Sequence, residues 1–157
     1  MSRFSALGPV LAAGAVLIAA SAVAAGLTGA EASKARGEHM KAMGGAAKAI
    51  RETVKTGSPD MAVVKAQSAK ILAGAKDLPT WFPAGSGQSA DPKSHALPVI
   101  WTDPSGFDAK AKALLVAAKK LDDVAQAGNT GAVEGAFKDV GAACKSCHEK
   151  FEEKDKT

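Results

Sequence analysis

VEGAFKDVGAACKSCHEKF, Val133 to Phe151, is the stretch from which the architecture of this chain can be read. Its larger apolar and sulfur-bearing side chains are Val133, Phe137, Val140, Cys144, Cys147 and Phe151, spaced 4, 3, 4, 3 and 4 residues apart. That spacing marks one face of an α-helix. Both cysteines share the face with large apolar side chains, so the thiols belong to an inward stripe. Asn129 or Thr130 is placed to cap the start of this helix, and Gly128-Asn129 to close the one before it.

Upstream, the same period recurs three times. A first segment, from about Glu31 to Thr56, carries Met40, Met43, Ala47, Ile50 and Val54, and Gly57-Ser58-Pro59 breaks it. Ser58 is the expected cap of the second helix, with Pro59 at its first position and Asp60 in its first turn. That helix carries Met61, Val64, Ser68, Ile71 and Ala75, and ends near Asp77-Leu78-Pro79. The third opens at Asp103-Pro104 and carries Phe107, Ala111, Leu114, Ala118, Leu121 and Ala125. Between the second and third, Pro79, Pro83, Pro92, Pro98 and Pro104, with Gly85 and Gly87, exclude regular helix through most of residues 79–104. No useful length of strand-like alternation is present. The expected fold is all-α: an up-and-down, antiparallel four-helix bundle with a long loop between helices 2 and 3.

Composition sharpens this reading. The 157 residues suit one domain. Alanine occurs 35 times and supplies nearly half of the 46% hydrophobic content; Tyr is absent, with only 5 Phe and 2 Trp. Residues 25–157 hold 8 Val, 3 Ile, 7 Leu and 4 Phe, or 22 of 133. Such a low share enters the range of disordered chains, but the net charge of +4 is small and alanine is the best helix former. A large aromatic core is excluded, and two cysteines allow one disulfide at most. A net charge this low, with no basic cluster interleaved with aromatics, gives no nucleic-acid-binding signature.

Residues 1–24 read as a cleaved export signal: Arg3, an uncharged stretch from Leu7 to Ala20, and Ala22-Val23-Ala24 as a small-x-small site. Ala30-Glu31-Ala32 is a second, weaker cleavage site. The lack of a twin-Arg pair favours Sec-type export. If uncleaved, the uncharged run from Val10 to Ala30 is long enough to anchor the chain in a membrane. In either case residues 25–157 form the bundle domain and lie outside the cytoplasm; the expected location is periplasmic.

Cys144-Lys145-Ser146-Cys147-His148 is the strongest chemical signal. Cys-x-x-Cys-His is the attachment signature of c-type haem. On a helix, Cys144 and Cys147 lie about 60° apart and His148 about 40° from Cys144. Two thiols can then add to the vinyl groups on one porphyrin edge while the imidazole meets the iron as proximal ligand. A thioredoxin-like dithiol would need a βαβ context. A zinc site would need His39 and His95 as further ligands. A disulfide would have to close a strained ring within one helix.

With this motif near the end of a bundle, the chain resembles the class II cytochromes c, meaning cytochrome c-prime and its low-spin relatives. Three further features carry the resemblance: Phe137 to Ala143 leading into Cys144, Pro98-Val99-Ile100-Trp101 followed by Phe107, and Arg36 with Met40 four residues on. It covers about residues 31–153. The resemblance implies one covalently attached haem c, with Arg36 at a haem propionate and Met40 on the distal side. The expected reading is Met40 as sixth ligand, opposite His148, which the resemblance links to a periplasmic one-electron carrier that works with small redox-partner proteins and is not an enzyme. Met43 is the alternative thioether. A non-ligating Met40 implies five-coordinate iron that binds nitric oxide or carbon monoxide. Family members often form homodimers through their helices.

Other residues have plainer expected roles. His39 lies about 100° from Met40 and should face solvent. His95, among Pro and Ser, should be exposed and inert. Trp81, Phe82 and Trp101 either cover the haem edge or pack between helices. Lys145, Lys150, Lys154 and Lys156 form either a collar for an acidic partner or a solvated helix end.

Overall fold

The computed structural model describes residues 26–154. The expected export segment, the anchor alternative and Lys156 fall wholly or largely outside them. Four long helices, α1 (Gly29–Val54), α2 (Met61–Asp77), α4 (Pro104–Gln126) and α5 (Thr130–Phe151), form an up-and-down four-helix bundle. A one-turn helix, α3 (Val99–Thr102), and a 3-10 turn (Leu78–Trp81) punctuate the long connection. The described residues include no strand, only an isolated antiparallel bridge between Ala96 and Glu152. No helix among them is long and apolar enough to cross a membrane.

Local chemistry sets the ends of the helices. Thr28, not the predicted region near Glu31, caps α1: the Thr28 hydroxyl accepts from Glu31 N–H, and the Glu31 carboxylate accepts from Thr28 N–H at 2.8 Å. Asp60 replaces Ser58 as the cap of α2, its carboxylate accepting from Ala62 and Val63 N–H. Asn129 takes the capping position of α5 but makes no side-chain cap bond. α4 ends in a Schellman turn. Gly128, at φ 71°, donates to Ala125 O, and Asn129 N–H donates to Val124 O. The third long helix opens at Asp103-Pro104 as expected: Asp103 leaves the helical region (φ −127°, ψ 65°) to cap α4, which separates it from the one-turn α3.

The predicted stripes face inward. On α2, Val64, Ser68, Ile71 and Ala75 are buried, as are Phe107, Ala111, Leu114, Ala118, Leu121 and Ala125 on α4. The buried Ser68 hydroxyl donates to Asp122 Oδ1 at 2.8 Å, tying α2 to α4. One core runs through most of the bundle, and a smaller group of Val64, Ala125 and Val133 closes one end. α4 packs extensively on α5, as α1 does on α2 and α2 on α4, whereas α1 and α5 touch sparsely.

Ile50 and Leu121 are fully buried, so truncating either to Ala is expected to cost about 2–5 kcal/mol. Val116→Ala, on an exposed part of α4, is expected to stay within about 0.5 kcal/mol. Urea unfolding of the holo-protein measures all three, and equal effects would contradict this core assignment.

Asp103 gives a pH test. Lys150 Nζ donates to it at 2.7 Å, with further bonds from Gly106 N–H and Ser105 Oγ. The Lys150 contact, then the other two bonds, hold its carboxyl below the ordinary range. Its stabilisation is therefore complete above the unfolded value of about 3.9 and disappears as pH falls through the lower folded value. The stability gap between native protein and Asp103→Asn is expected to be constant near neutral pH and to close in acid.

Candidate functional site

A cavity of about 820 Å³ occupies the space where α1 and α5 stand apart. α1 contributes Arg36, Met40, Met43 and Ala47; α5 contributes Val140, Cys144, Cys147, His148 and Phe151. Ile71, Phe82, Phe107 and Leu114 complete much of the apolar lining. The volume lies within the roughly 300–1,000 Å³ of cofactor and ligand pockets.

The three motif residues share one wall. Cys144 and Cys147 are half-buried and unpaired. Burial, the largest cause, pushes both thiols up; at Cys147 the neighbouring Cys144 adds to the rise while Lys110 opposes it. A redox dithiol needs the opposite shift. No group of three or more His, Cys, Asp and Glu side chains among the described residues could hold a metal, which leaves a zinc reading short of ligands. His148 Nδ1 lies 3.0 Å from Glu152 Oε2, so the ring's Nε2 is the nitrogen available to iron. Two thiols and one imidazole on the wall of a large, mainly apolar cavity fit a covalently held haem.

On α1, Met40 is half-buried at the cavity and packs on the core. Met43 also reaches the cavity, but its thioether is seated in a notch of α2: a Cβ on Gly74 would lie 2.6 Å from Met43 Sδ. His39 is exposed, as expected, and stacks on Trp81 with ring centroids 4.6 Å apart.

Arg36 is 6% exposed. Its guanidinium lines the cavity and donates five hydrogen bonds, to Ser33 Oγ, Trp81 O, Ser86 Oγ, Ser86 O and Ser94 Oγ, at 2.8–3.3 Å. Its carbon centre sits 4.7 Å over the Phe82 ring. Burial pulls its pKa down and nearby Asp91 pushes it back. Asp91 accepts from Ser33 Oγ at 2.8 Å. The sequence offered no sign of this cluster, because four of its five acceptors lie 45 to 58 residues away in the long connection.

The aromatic residues divide between the two expected roles. Phe82 lines the cavity and meets Phe107 edge-on at 4.7 Å. Trp101 instead anchors the loop, donating from Nε1 to Phe82 O and Pro83 O. His95 is exposed but not inert: it lines the cavity rim, its carbonyl accepts from Glu153 N–H at 2.7 Å, and its Nδ1 is 3.4 Å from Glu153 O. The lysine collar is partly neutralised, since Lys150 pairs with Asp103 and Lys145 with Glu149.

The family model for cytochrome c' matches residues 31–152. The chain belongs to the cytochrome c' family. Its members carry covalently attached haem c, and so does this protein. Cytochrome c' of Pararhodospirillum photometricum is 36% identical over 123 residues, covering 78% of this chain and 91% of that relative. Cytochrome c-554 of Cereibacter sphaeroides is 40% identical over 77 residues, 49% of this chain, and this match spans only half of the relative's length. Among solved structures, a cytochrome c' with ligand-controlled dimer dissociation superposes with a TM-score of 0.77 at 32% identity, covering 83% of this chain and all of that one. The nitric oxide complex of a cytochrome c prime variant from Alcaligenes xylosoxidans gives 0.72 at 29% identity, covering 81% and 98%.

Arg36→Lys retains the charge but loses the planar fork. It is expected to destabilise the holo-protein by about 1.5–3 kcal/mol and to speed amide exchange at Ser94 and Ala96. Unchanged exchange there would show that the loop does not depend on Arg36.

Proposed function

We propose that this protein is a periplasmic mono-haem cytochrome that binds a diatomic gas, nitric oxide or carbon monoxide, at the distal face of its iron. The observation that carries this reading is the cavity between α1 and α5, with Cys144, Cys147 and His148 on one wall and Met40, Met43 and Ala47 on the other. The match to cytochrome c' over residues 31–152 supports it, as does a structural neighbour solved with nitric oxide bound.

Cys144 and Cys147 would hold the haem through thioethers, and His148 would ligate the iron. Haem supplies an iron centre that cycles between ferric and ferrous states and accepts axial ligands. The chain's apolar side chains, Ile71, Phe82, Phe107 and Leu114, keep water from the porphyrin. Arg36 has its bonds to the loop and also borders the cavity, where its charge would attract a haem carboxylate. No substrate bond is made or broken, so the protein is not an enzyme. A homodimer that forms through the helices is consistent with the named behaviour of one structural neighbour.

Met40 favours a second reading. Its thioether-bearing side chain lines the cavity on the helix that faces His148. If Met40 ligates the iron, the protein is a one-electron carrier for small redox-partner proteins, because a His/Met pair raises the potential.

Visible spectra of the holo-protein separate the two. Gas binding predicts high-spin ferric spectra and a ferrous form that changes promptly with carbon monoxide. A low-spin spectrum with a weak far-red methionine band would replace that reading with electron transfer. Met40→Ala would then convert the protein to high spin.

A further inference from the structure

The two nitrogens of the His148 ring have different surroundings. Nδ1 faces the Glu152 carboxylate one helical turn on, at 3.0 Å from Oε2. A histidine that ligates iron through Nε2 carries its proton on Nδ1, so this contact is a hydrogen bond donated by the ring to a carboxylate.

Glu152 does not sit on a frayed terminus. It is the C-cap of α5, with an extended backbone (φ −116°, ψ 134°) whose N–H donates to His148 O. It forms the isolated antiparallel bridge with Ala96. Leu97 N–H donates to Phe151 O at 3.0 Å, and Glu153 N–H to His95 O at 2.7 Å. The Gln88 side-chain amide donates to the Glu153 carboxylate. Ser94, adjacent to this bridge, is one of the residues held by Arg36. The loop therefore fixes the backbone that carries the carboxylate.

The geometry points to Glu152 as a positioning residue for the iron ligand, which rests on the haem reading above. Accepting the Nδ1 proton fixes the tautomer and orients the ring with Nε2 toward the iron. The hydrogen bond also makes the imidazole a stronger donor. A stronger axial donor favours ferric iron, so Glu152 lowers the reduction potential of this haem. The chain sets the electronic character of its cofactor with a residue outside the attachment motif.

The test uses holo-protein with Glu152→Gln, which keeps size and an acceptor oxygen but removes the charge. Glu149→Gln is the control: it removes the same charge nearby, from a side chain paired with Lys145 at 3.7 Å. The readouts are the midpoint potential and the iron–histidine stretching frequency of the ferrous five-coordinate form, prepared directly or by photolysis of the carbon monoxide adduct. Glu152→Gln is expected to raise the potential and lower the frequency. Glu149→Gln is expected to leave the frequency unchanged and move the potential less. An unchanged frequency in Glu152→Gln, or equal potential shifts in both variants, overturns the role of Glu152 while leaving the haem reading intact. Failure of the unmodified protein to attach haem at Cys144 and Cys147 overturns both.

Discussion

A buried guanidinium is costly unless its donors are met, and those of Arg36 are met mostly by the long connection between α2 and α4. Residues 82–98 carry three prolines, contain no long helix and cross one end of the bundle. Ser86 and Ser94, both buried, turn their hydroxyls to Arg36, and Ser86 adds its carbonyl. Phe82 lies under the same charge. The loop so held places Ala96 against Glu152 and Phe82 against Phe107. Arg36 thus shares the ordering of one cavity wall and of the end of α5 with the hydrogen bonds of Trp101, Leu97 and Glu153. The cost of burying that charge is offset by ordering a segment whose own sequence specifies no regular structure.

The rest of the interior follows from alanine. Among the largest fully buried side chains are Ile50, Ile71, Leu121, Val64, Val133 and Val140, with no aromatic. Ala46, Ala75, Ala111, Ala117, Ala118 and Ala125 fill many of the remaining core positions. Small side chains let α4 approach its neighbours closely, but they cannot bridge the wider gap between α1 and α5. The cavity of about 820 Å³ is the volume that 22 large apolar residues among 133 leave over. The low count of Val, Ile, Leu and Phe thus has a location as well as a value. A flat apolar cofactor held by α5 would supply contact between the two helices, and the family's haem c has that shape and chemistry.

Legibility differed by element for physical reasons. Periodic burial made α2 and α4 readable, because each buried face repeats over several turns. α1 was read less well: Ala32, Ser33, Arg36 and Ala46 are buried but are too small or too polar to register in an apolar stripe. Thr28 was missed as a cap even though Glu31 three residues on completes the capping box; there the signal was present and unread. The motif from Cys144 to His148 was legible because its chemistry is local to one helical turn. The loop partners of Arg36, and the bridge to Ala96 that holds the backbone of Glu152, were not, because they arise from contacts between segments distant in sequence. His95 illustrates the point: its side chain is exposed as composition suggests, while its backbone holds the end of α5.

The two helices that border the cavity have separate duties. α5 presents the groups that would hold the haem on the proposed reading, two thiols and an imidazole spaced along the cavity side of one helix. α1 presents Arg36, Met40, Met43 and Ala47 there, and of these Met40 has the flexible thioether that can approach an iron or stand away from it. Met43 has its sulfur seated against Gly74, which leaves Met40 to decide the matter. A thioether that reaches the iron closes the distal side and makes the centre an electron carrier; one that packs alongside leaves room for a small gas. The choice involves a displacement of one flexible side chain, since methionine adapts readily to irregular space. A single scaffold can therefore support both gas-binding and electron-carrying haem, with α1 selecting between them while α5 stays the same.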